Sequence, residues 1–262
     1  MKRISVCLLL ALAACAAPKK ATTIASAPGM IVPGKLFTSL FQQRAAEYRA
    51  LCFQAYNLAR LQIDQLPSSD RPRAIVTDID ETVLDNSPYA VHQGLQGKDY
   101  EAASWREWTG KAACDTVPGA PSFFKYAASK GIEIFYITNR DEQERAGTLK
   151  NLQLYNLPDA DNAHLLLKQN TSDKEARRQQ VAAKHDIVML VGDNLGDHFS
   201  LYKKNYQERL AVTDQLAAQF GRRFIVLPNP VYGDWEGALL PANTTLTPAQ
   251  KDSVMKSWLK GY

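Results

Sequence analysis

The chain of 262 residues has no apolar run of about 18 residues, so its sequence offers no helix able to span a bilayer. It holds only four cysteines and four histidines, and neither type is spaced like a metal-binding motif. His92, His164, His185 and His198 are therefore assigned no role. Glycine (14) and proline (13) stay at ordinary levels, which excludes a collagen-like or low-complexity chain. No internal repeat is visible. The charge excess is small: 31 basic against 27 acidic residues give +4, and Lys2 and Arg3 fall in a segment expected to be removed, leaving +2. So balanced a chain has no electrostatic footprint for a nucleic-acid polymer. What is present, 45% hydrophobic and 22% charged residues, suits one large domain or a core with a modest appendage.

The amino terminus reads as an address. Met1-Lys2-Arg3 is a short basic head, and the apolar run Val6–Ala14 would cover about half a bilayer core at ~1.5 Å per residue. The run closes on Leu12-Ala13-Ala14-Cys15, which resembles a bacterial lipobox with Cys15 as the lipidated first residue of the mature chain. The alternative is an ordinary secretory signal cut near Ala-x-Ala. Ala16 stands where an inner-membrane retention signal usually has Asp, so the resemblance implies the outer membrane, with acyl chains worth ~0.8 kcal/mol per buried methylene as the anchor. Residues 1–14 are read as the signal peptide and 15–34, rich in Ala, Thr, Pro and Lys, as a tether. Cys52 and Cys114 could pair in an oxidising compartment or stay as buried thiols; the sequence leaves both open.

From Lys35 to Leu66 apolar residues recur at helical spacing, which predicts one helix stopped by Pro67-Ser68-Ser69. A different rhythm follows. Five short apolar runs, 74–77, 132–137, 164–167, 187–191 and 224–227, read as buried strands. Helix-compatible stretches at 122–129, 142–155 and 173–184 lie between most of them. This alternation predicts an α/β fold with a central parallel sheet, whose ligands bind at the carboxyl ends of the strands. The core is assigned to 71–86 and 118–232. A small, mainly helical cap is assigned to 35–70 and the polar-aromatic insertion 87–117, with a tail, 233–262, ending in an amphipathic helix.

The residues after each run are then the site candidates. Asp78-Ile79-Asp80-Glu81-Thr82 follows the first, Thr138-Asn139-Arg140 the second and Gly192-Asp193-Asn194-Leu195-Gly196-Asp197 the fourth, while Ser172-Asp173-Lys174 heads a helix. An isolated D-x-D is weak, because acidic turn residues are common. Four such clusters in this order are much harder to obtain by chance.

These motifs resemble the haloacid-dehalogenase-superfamily phosphatases, and more narrowly the class C bacterial acid phosphatases, the lipoprotein e family of lipid-anchored 5'-nucleotidases. The likeness rests on residues 75–89 and 187–195. Tyr136-Ile137-Thr138-Asn139-Arg140, Leu227-Pro228-Asn229, Tyr232-Gly233 and Trp235-Glu236-Gly237 support it. The family usually has Asp directly before Phe where this chain reads Asp197-His198-Phe199, which leaves the register after Asp197 open. The resemblance implies a Rossmann-like core and a phosphoric monoester hydrolase acting on nucleotides, nicotinamide mononucleotide or aryl phosphates. Asp78 would be the nucleophile and Asp80 the general acid and base, protonated at mildly acid pH. Mg²⁺ would be held by Asp78, the Asp80 backbone carbonyl and Asp193, with Asp197 at its edge; an oxygen-only donor set suits that ion. Thr138 and the Asn139 amide would hold the phosphoryl group, and Lys174 would balance its charge. Trp105 and Tyr232 would sandwich an aromatic leaving group. A homodimer is implied as well.

Each assignment has a plainer alternative. Thr138 could cap a helix, Lys174 could belong to a solvated basic face with Arg177 and Arg178, and Trp105 and Tyr232 could be ordinary packing. Glu81 reads as structural, and Asp85 and Asn86 as turn-shaping residues. At the level of function, the alternative is a non-catalytic surface lipoprotein that binds a nucleotide or haem. A dehalogenase would have no leaving oxygen for Asp80 to protonate, and a mutase would be out of place in the envelope.

Overall fold

The computed structural model describes residues 29–200 and 205–262. The basic head, the apolar run, Cys15 and most of the tether lie outside the described residues. Among the described residues the strands are β1 (Arg73–Thr77), β2 (Leu84–Asp85), β3 (Asp115–Thr116), β4 (Ile132–Ile137), β5 (Leu165–Leu166), β6 (Asp186–Gly192) and β7 (Phe224–Val226). The helices are α1 (Ile31–Arg44), α2 (Ala46–Asp64), α3 (Ser87–Leu95), α4 (Ala102–Gly110), α5 (Ala120–Ser129), α6 (Arg145–Leu154), α7 (Glu175–Ala182), α8 (Tyr206–Gln215), α9 (Asp234–Ala238) and α10 (Pro248–Ser257). No described helix is long and apolar enough to cross a membrane.

All five apolar runs of the sequence become strands of one parallel sheet of order β5-β4-β1-β6-β7. Its strands alternate between two buried layers, as the two-residue period of a strand requires. Ile75, Ile134, Tyr136, Met189, Val191 and Ile225 share one core with Tyr56 of α2 and Phe123 and Phe124 of α5. Ala74, Val76, Phe135, Ile137, Leu190 and Phe224 face the opposite way, toward Val181 of α7. Burial on both faces explains why these runs read as continuous hydrophobic segments. The chain winds outward from β1 to β4 and β5, then recrosses β1 to form β6 and β7. The winding therefore reverses at β1, and a crevice opens beyond the carboxyl ends of β1, β4 and β6.

The stretch 35–70, read as one helix and as part of the cap, is divided. Ala45 is extended (φ −77°, ψ 129°) and separates α1 from α2. Only α1 sides with the insertion, packing on α3, whereas α2 lies on α5 and β7 with Cys52, Tyr56 and Ala59 fully in the core. The helical spacing runs through both, but α1 buries Ser39 and Gln42 while Phe37 and Leu40 face solvent. Helix α1 also begins at Ile31, inside the stretch read as tether. The short antiparallel pair β2–β3, which ties the two ends of the insertion together, was not foreseen. Helix α10 is weakly amphipathic at most, since Met255 is its one buried residue. It is tied to α1 by Met30 N–H, which donates to Asp252. Cys52 and Cys114 are both free and buried, and burial raises their thiols to about 11 and about 12.

Candidate active site

Parallel register brings the polar clusters together. Thr77 stands opposite Tyr136 on one side and Val191 on the other, so the residues that follow the three strands emerge side by side. The Asp78 N–H still donates to the Val191 carbonyl (2.9 Å), which carries the ladder one residue into the site. After β6 the chain must turn sharply. A side chain on Gly192 would meet the Asp197 carboxylate at 2.5 Å, so glycine is required there. A single 3₁₀ turn, closed reciprocally by the Asn194 and Asp197 side chains, then brings Asp197 back to face Asp78.

The start of α7 supplies the counter-charges. Lys174 Nζ lies 2.6 Å from Asp78 Oδ1 and 2.7 Å from Asp197 Oδ1. Arg177 donates to the Thr138 carbonyl (2.5 Å) and to Asn139 Oδ1 (2.9 Å). Arg178 donates to the carbonyls of Gly196 (3.2 Å) and Asp197 (2.9 Å). All three cations are buried, so the alternative of a solvated basic face does not hold. They act inward: Lys174 on the loops after β1 and β6, Arg177 on the loop after β4, and Arg178 on the loop after β6.

Asp78, Asp193 and Asp197 offer carboxylate oxygens that all lie within 4.8 Å of one another. Thr82 Oγ1 donates to Asp193 Oδ1 (3.0 Å) and Asn229 Nδ2 to Asp193 Oδ2 (2.8 Å). Asp197 Oδ2 accepts from the Asn194 N–H (3.0 Å). By contrast, the buried Asp78 Oδ1 meets no donor but the Lys174 ammonium among the described residues, so that oxygen keeps acceptor capacity to spare. Three carboxylates and one ammonium leave two negative charges uncompensated, the charge a divalent cation would balance. Without one, burial and then the Asp197 and Asp80 charges push Asp78 up to about 7 against the pull of Lys174. Burial and the Asp197 and Asp78 charges drive Asp193 well above the usual carboxylate range.

Asp80 is held apart from this trio. Arg140, fully buried, donates to Asp80 Oδ1 from Nη2 (2.7 Å) and Nε (3.1 Å), with a longer contact from Nε to Oδ2 (3.3 Å). Asn86 Nδ2 adds a third donor to Oδ1 (2.9 Å). Beside it Glu81 adopts the left-handed conformation (φ 56°) and is almost fully buried. Its carboxyl accepts from the Asn86 N–H (2.8 Å) and from the Tyr232 hydroxyl. Burial raises Glu81 well above its usual range.

A cavity of about 520 Å³ opens over these groups, lined among others by Asp78, Asp80, Asn139, Arg140, Trp105 and Tyr232. Trp105 packs edge-on against Tyr89, with ring centroids 5.0 Å apart. Thr138 is fully buried and does not line the cavity; its Oγ1 accepts the Arg140 N–H (3.1 Å) and retains its own proton. Asp197 faces the site and His198 turns into the core, where its Nε2 meets the Ile225 carbonyl (3.0 Å). Of the site residues expected from the sequence, Asp78, Asp80, Trp105, Asn139, Asp193, Asp197 and Tyr232 line this cavity, while Lys174 and Thr138 are buried outside its lining. Sequence reading gave no role to Arg140, Asn229 or Thr82 and took Asn86 for a turn former. All four stood inside the quoted motifs, which was the available signal.

The family described as HAD superfamily, subfamily IIIB (acid phosphatase) matches residues 13–235. The structure of the class C acid phosphatase from Bacillus anthracis superposes with a TM-score of 0.85 at 40% identity, covering 88% of this chain and 99% of that one. The same enzyme with tungstate bound superposes equally well, with a TM-score of 0.85, 40% identity and the same 88% and 99% coverage. Acid phosphatase 1 from Solanum lycopersicum is 24% identical over 163 residues, 60% of this chain and 57% of that protein. The stem 31 kDa glycoprotein of Glycine max is 27% identical over 130 residues, 46% of this chain and 51% of that protein. The match therefore spans little more than half the length of these plant relatives.

Proposed function

Because the chain belongs to the acid phosphatases of HAD superfamily subfamily IIIB, we propose that it hydrolyses phosphate monoesters through Asp78 as nucleophile. The observation that carries this reading is the buried, partly unsatisfied carboxylate of Asp78 facing Lys174, two residues from a second carboxylate held separately. As an Asp78 oxygen bonds to phosphorus, the ester P–O bond breaks and the leaving oxygen takes a proton from Asp80. Water then attacks the aspartyl-phosphate, returns a proton to Asp80, and releases phosphate. Lys174, the Thr138 hydroxyl and the Asn139 amide balance charge on the phosphoryl oxygens. Asp78 and Asp193, with the Asp80 carbonyl, would hold Mg²⁺, which supplies further positive charge to the phosphoryl group when bound. Asp197, both of whose oxygens are already engaged, would act from the edge of that ion.

The cavity volume and the aromatic wall of Trp105 and Tyr232 fit a nucleoside monophosphate, nicotinamide mononucleotide or aryl phosphate. The lipobox-like segment ending in Cys15 supports an outer-membrane, lipid-anchored location, and the family likeness supports a homodimer. The test is phosphate release from p-nitrophenyl phosphate and adenosine monophosphate. Wild type with Mg²⁺ is expected to turn over both, and Asp78→Asn neither. Substantial turnover by Asp78→Asn would overturn the nucleophile assignment.

A further inference from the structure

Asp80 is supported unequally. Its Oδ1 accepts three close donors, two from Arg140 and one from Asn86, whereas Oδ2 has a single contact at 3.3 Å. A carboxyl oxygen that already accepts three donors has no room for a proton, so the proton belongs on Oδ2. This asymmetry depends on which way the Asn86 amide points. Turned over, Asn86 would set its carbonyl against the carboxylate.

The orientation of Asn86 is fixed from the other side. Its Oδ1 accepts the indole Nε1–H of Trp108 (2.9 Å) and lies 3.3 Å from Cys114 Sγ. An indole nitrogen can only donate and a protonated thiol donates weakly, so both hold the amide oxygen away from Asp80. Asn86 is 2% exposed and Cys114 fully buried, so water has little access to the amide itself. Trp108 lies on α4, three residues after Trp105, on the same side of the helix. Trp105 in turn lies over Arg140, with the guanidinium carbon 5.9 Å from its ring. Both groups that hold Asp80 are therefore in touch with one face of α4.

We infer that Asn86 and Trp108 are positioning residues for Asp80, reserving Oδ1 for donors and leaving Oδ2 to carry the proton that passes to the leaving oxygen. This rests on the proposed role of Asp80 as general acid. It adds that the helix carrying the aromatic wall also sets the acid. Once the ester bond breaks, the Oδ2 proton moves to the departing oxygen and its electron pair stays on Asp80; the proton of the attacking water restores it.

The test uses a series of substrates graded by leaving group. A dinitrophenolate departs without a proton, whereas an alkoxide needs one. Trp108→Phe removes the N–H donor and keeps an aromatic ring at the position. It is expected to lower kcat/KM for an alkyl phosphate about tenfold or more and to leave dinitrophenyl phosphate within about twofold. Asn86→Ala, which leaves α4 packing alone, is expected to show the same selectivity. An equal loss on both substrates in both variants would mean a structural role only and overturn the inference. Asp80→Asn separates this from failure of the underlying reading. A steep leaving-group dependence there, with flat profiles in the other two, sinks the positioning role alone. A flat profile for Asp80→Asn sinks the acid assignment itself.

Discussion

Two lysines in this molecule each bridge two carboxylates, one in the core and one in the cap. Lys174, at the start of α7, lies 2.6 Å from Asp78 and 2.7 Å from Asp197, with 4% of its side chain exposed. Lys35, on α1, lies 2.8 Å from Asp99 and 3.3 Å from Glu236, with partners 45% and 20% exposed. The geometry is alike and the medium is not. Burial works against the Lys174 ammonium, yet Asp197 and Asp78 outweigh it and raise its pKa. Around Lys35 water screens the same attractions. The core thus fixes charges in place for chemistry, while the cap is gathered by weak, adjustable contacts. Large apolar side chains left open there, such as Phe37, Leu95 and Tyr100, point the same way.

The sharpest way to break this contrast is Lys174→Met, which keeps length and removes the charge. Turnover is expected to fall about 10²–10³-fold, as for loss of one preorganised charge donor, measured as kcat on p-nitrophenyl phosphate. Loss of less than about threefold would place Lys174 with ordinary surface lysines. Next in size is the linkage between protons and metal. Asp78 has an ordinary value of 3.8 and rises to about 7 in the fold, so the metal-free native state binds its proton more tightly than the unfolded chain. The Asp78 contribution to the stability of that form should therefore fall away as pH rises from about 4 to about 7, and the raised Asp193 and Glu81 prolong the decline. A divalent cation displaces the proton, so the rise in Tm on adding Mg²⁺ to EDTA-treated protein should be larger near pH 7.5 than near pH 5. An equal rise at both would contradict cation binding at the buried trio.

What the sequence makes legible follows the same division. Strand ends could be read because buried parallel strands are continuous apolar runs and ligands gather at their carboxyl ends. Asp78 and Thr138 each sit directly after such a run, and Asp193 one residue further on. Residues whose role depends on a distant partner were hidden. Asn86 looks like a turn former until Trp108, 22 positions away, is seen to hold its amide. Arg177 and Arg178 look like a charged helix face until the loops they grip are placed beside them. The cap was blurred for a different reason. Periodicity records a helix but not which body it packs against, so α1 and α2 ran together across Ala45.

Trp105 tests the cap where it meets substrate. It lines the cavity beside Tyr89 and Arg140. Stacking on an aromatic ring is worth about 1–3 kcal/mol per base, so Trp105→Ala should raise KM for adenosine monophosphate about tenfold. A small alkyl phosphate, with no ring to stack, should change little. Uniform loss across both would return Trp105 to a packing role.

The smallest effect belongs to the other lysine. Lys35→Met removes a bridge between α1, the loop before α4, and α9, and it should cost no more than about 1 kcal/mol, read from the urea midpoint. Burial alone would raise Asp99, but the hydrogen bond and charge of Lys35 hold it below its ordinary value. A depressed carboxylate contributes stability above its ordinary pKa and loses it as pH falls through the lowered one. The difference between Lys35→Met and wild type should therefore shrink on acidification and also shrink with added salt, since the partners are open to solvent. The Lys174→Met defect should survive the salt, because no mobile ion reaches a side chain so deeply buried. A Lys35 effect that is large and salt-resistant would mean that the cap is as rigid as the core, and the contrast between the two lysines would disappear.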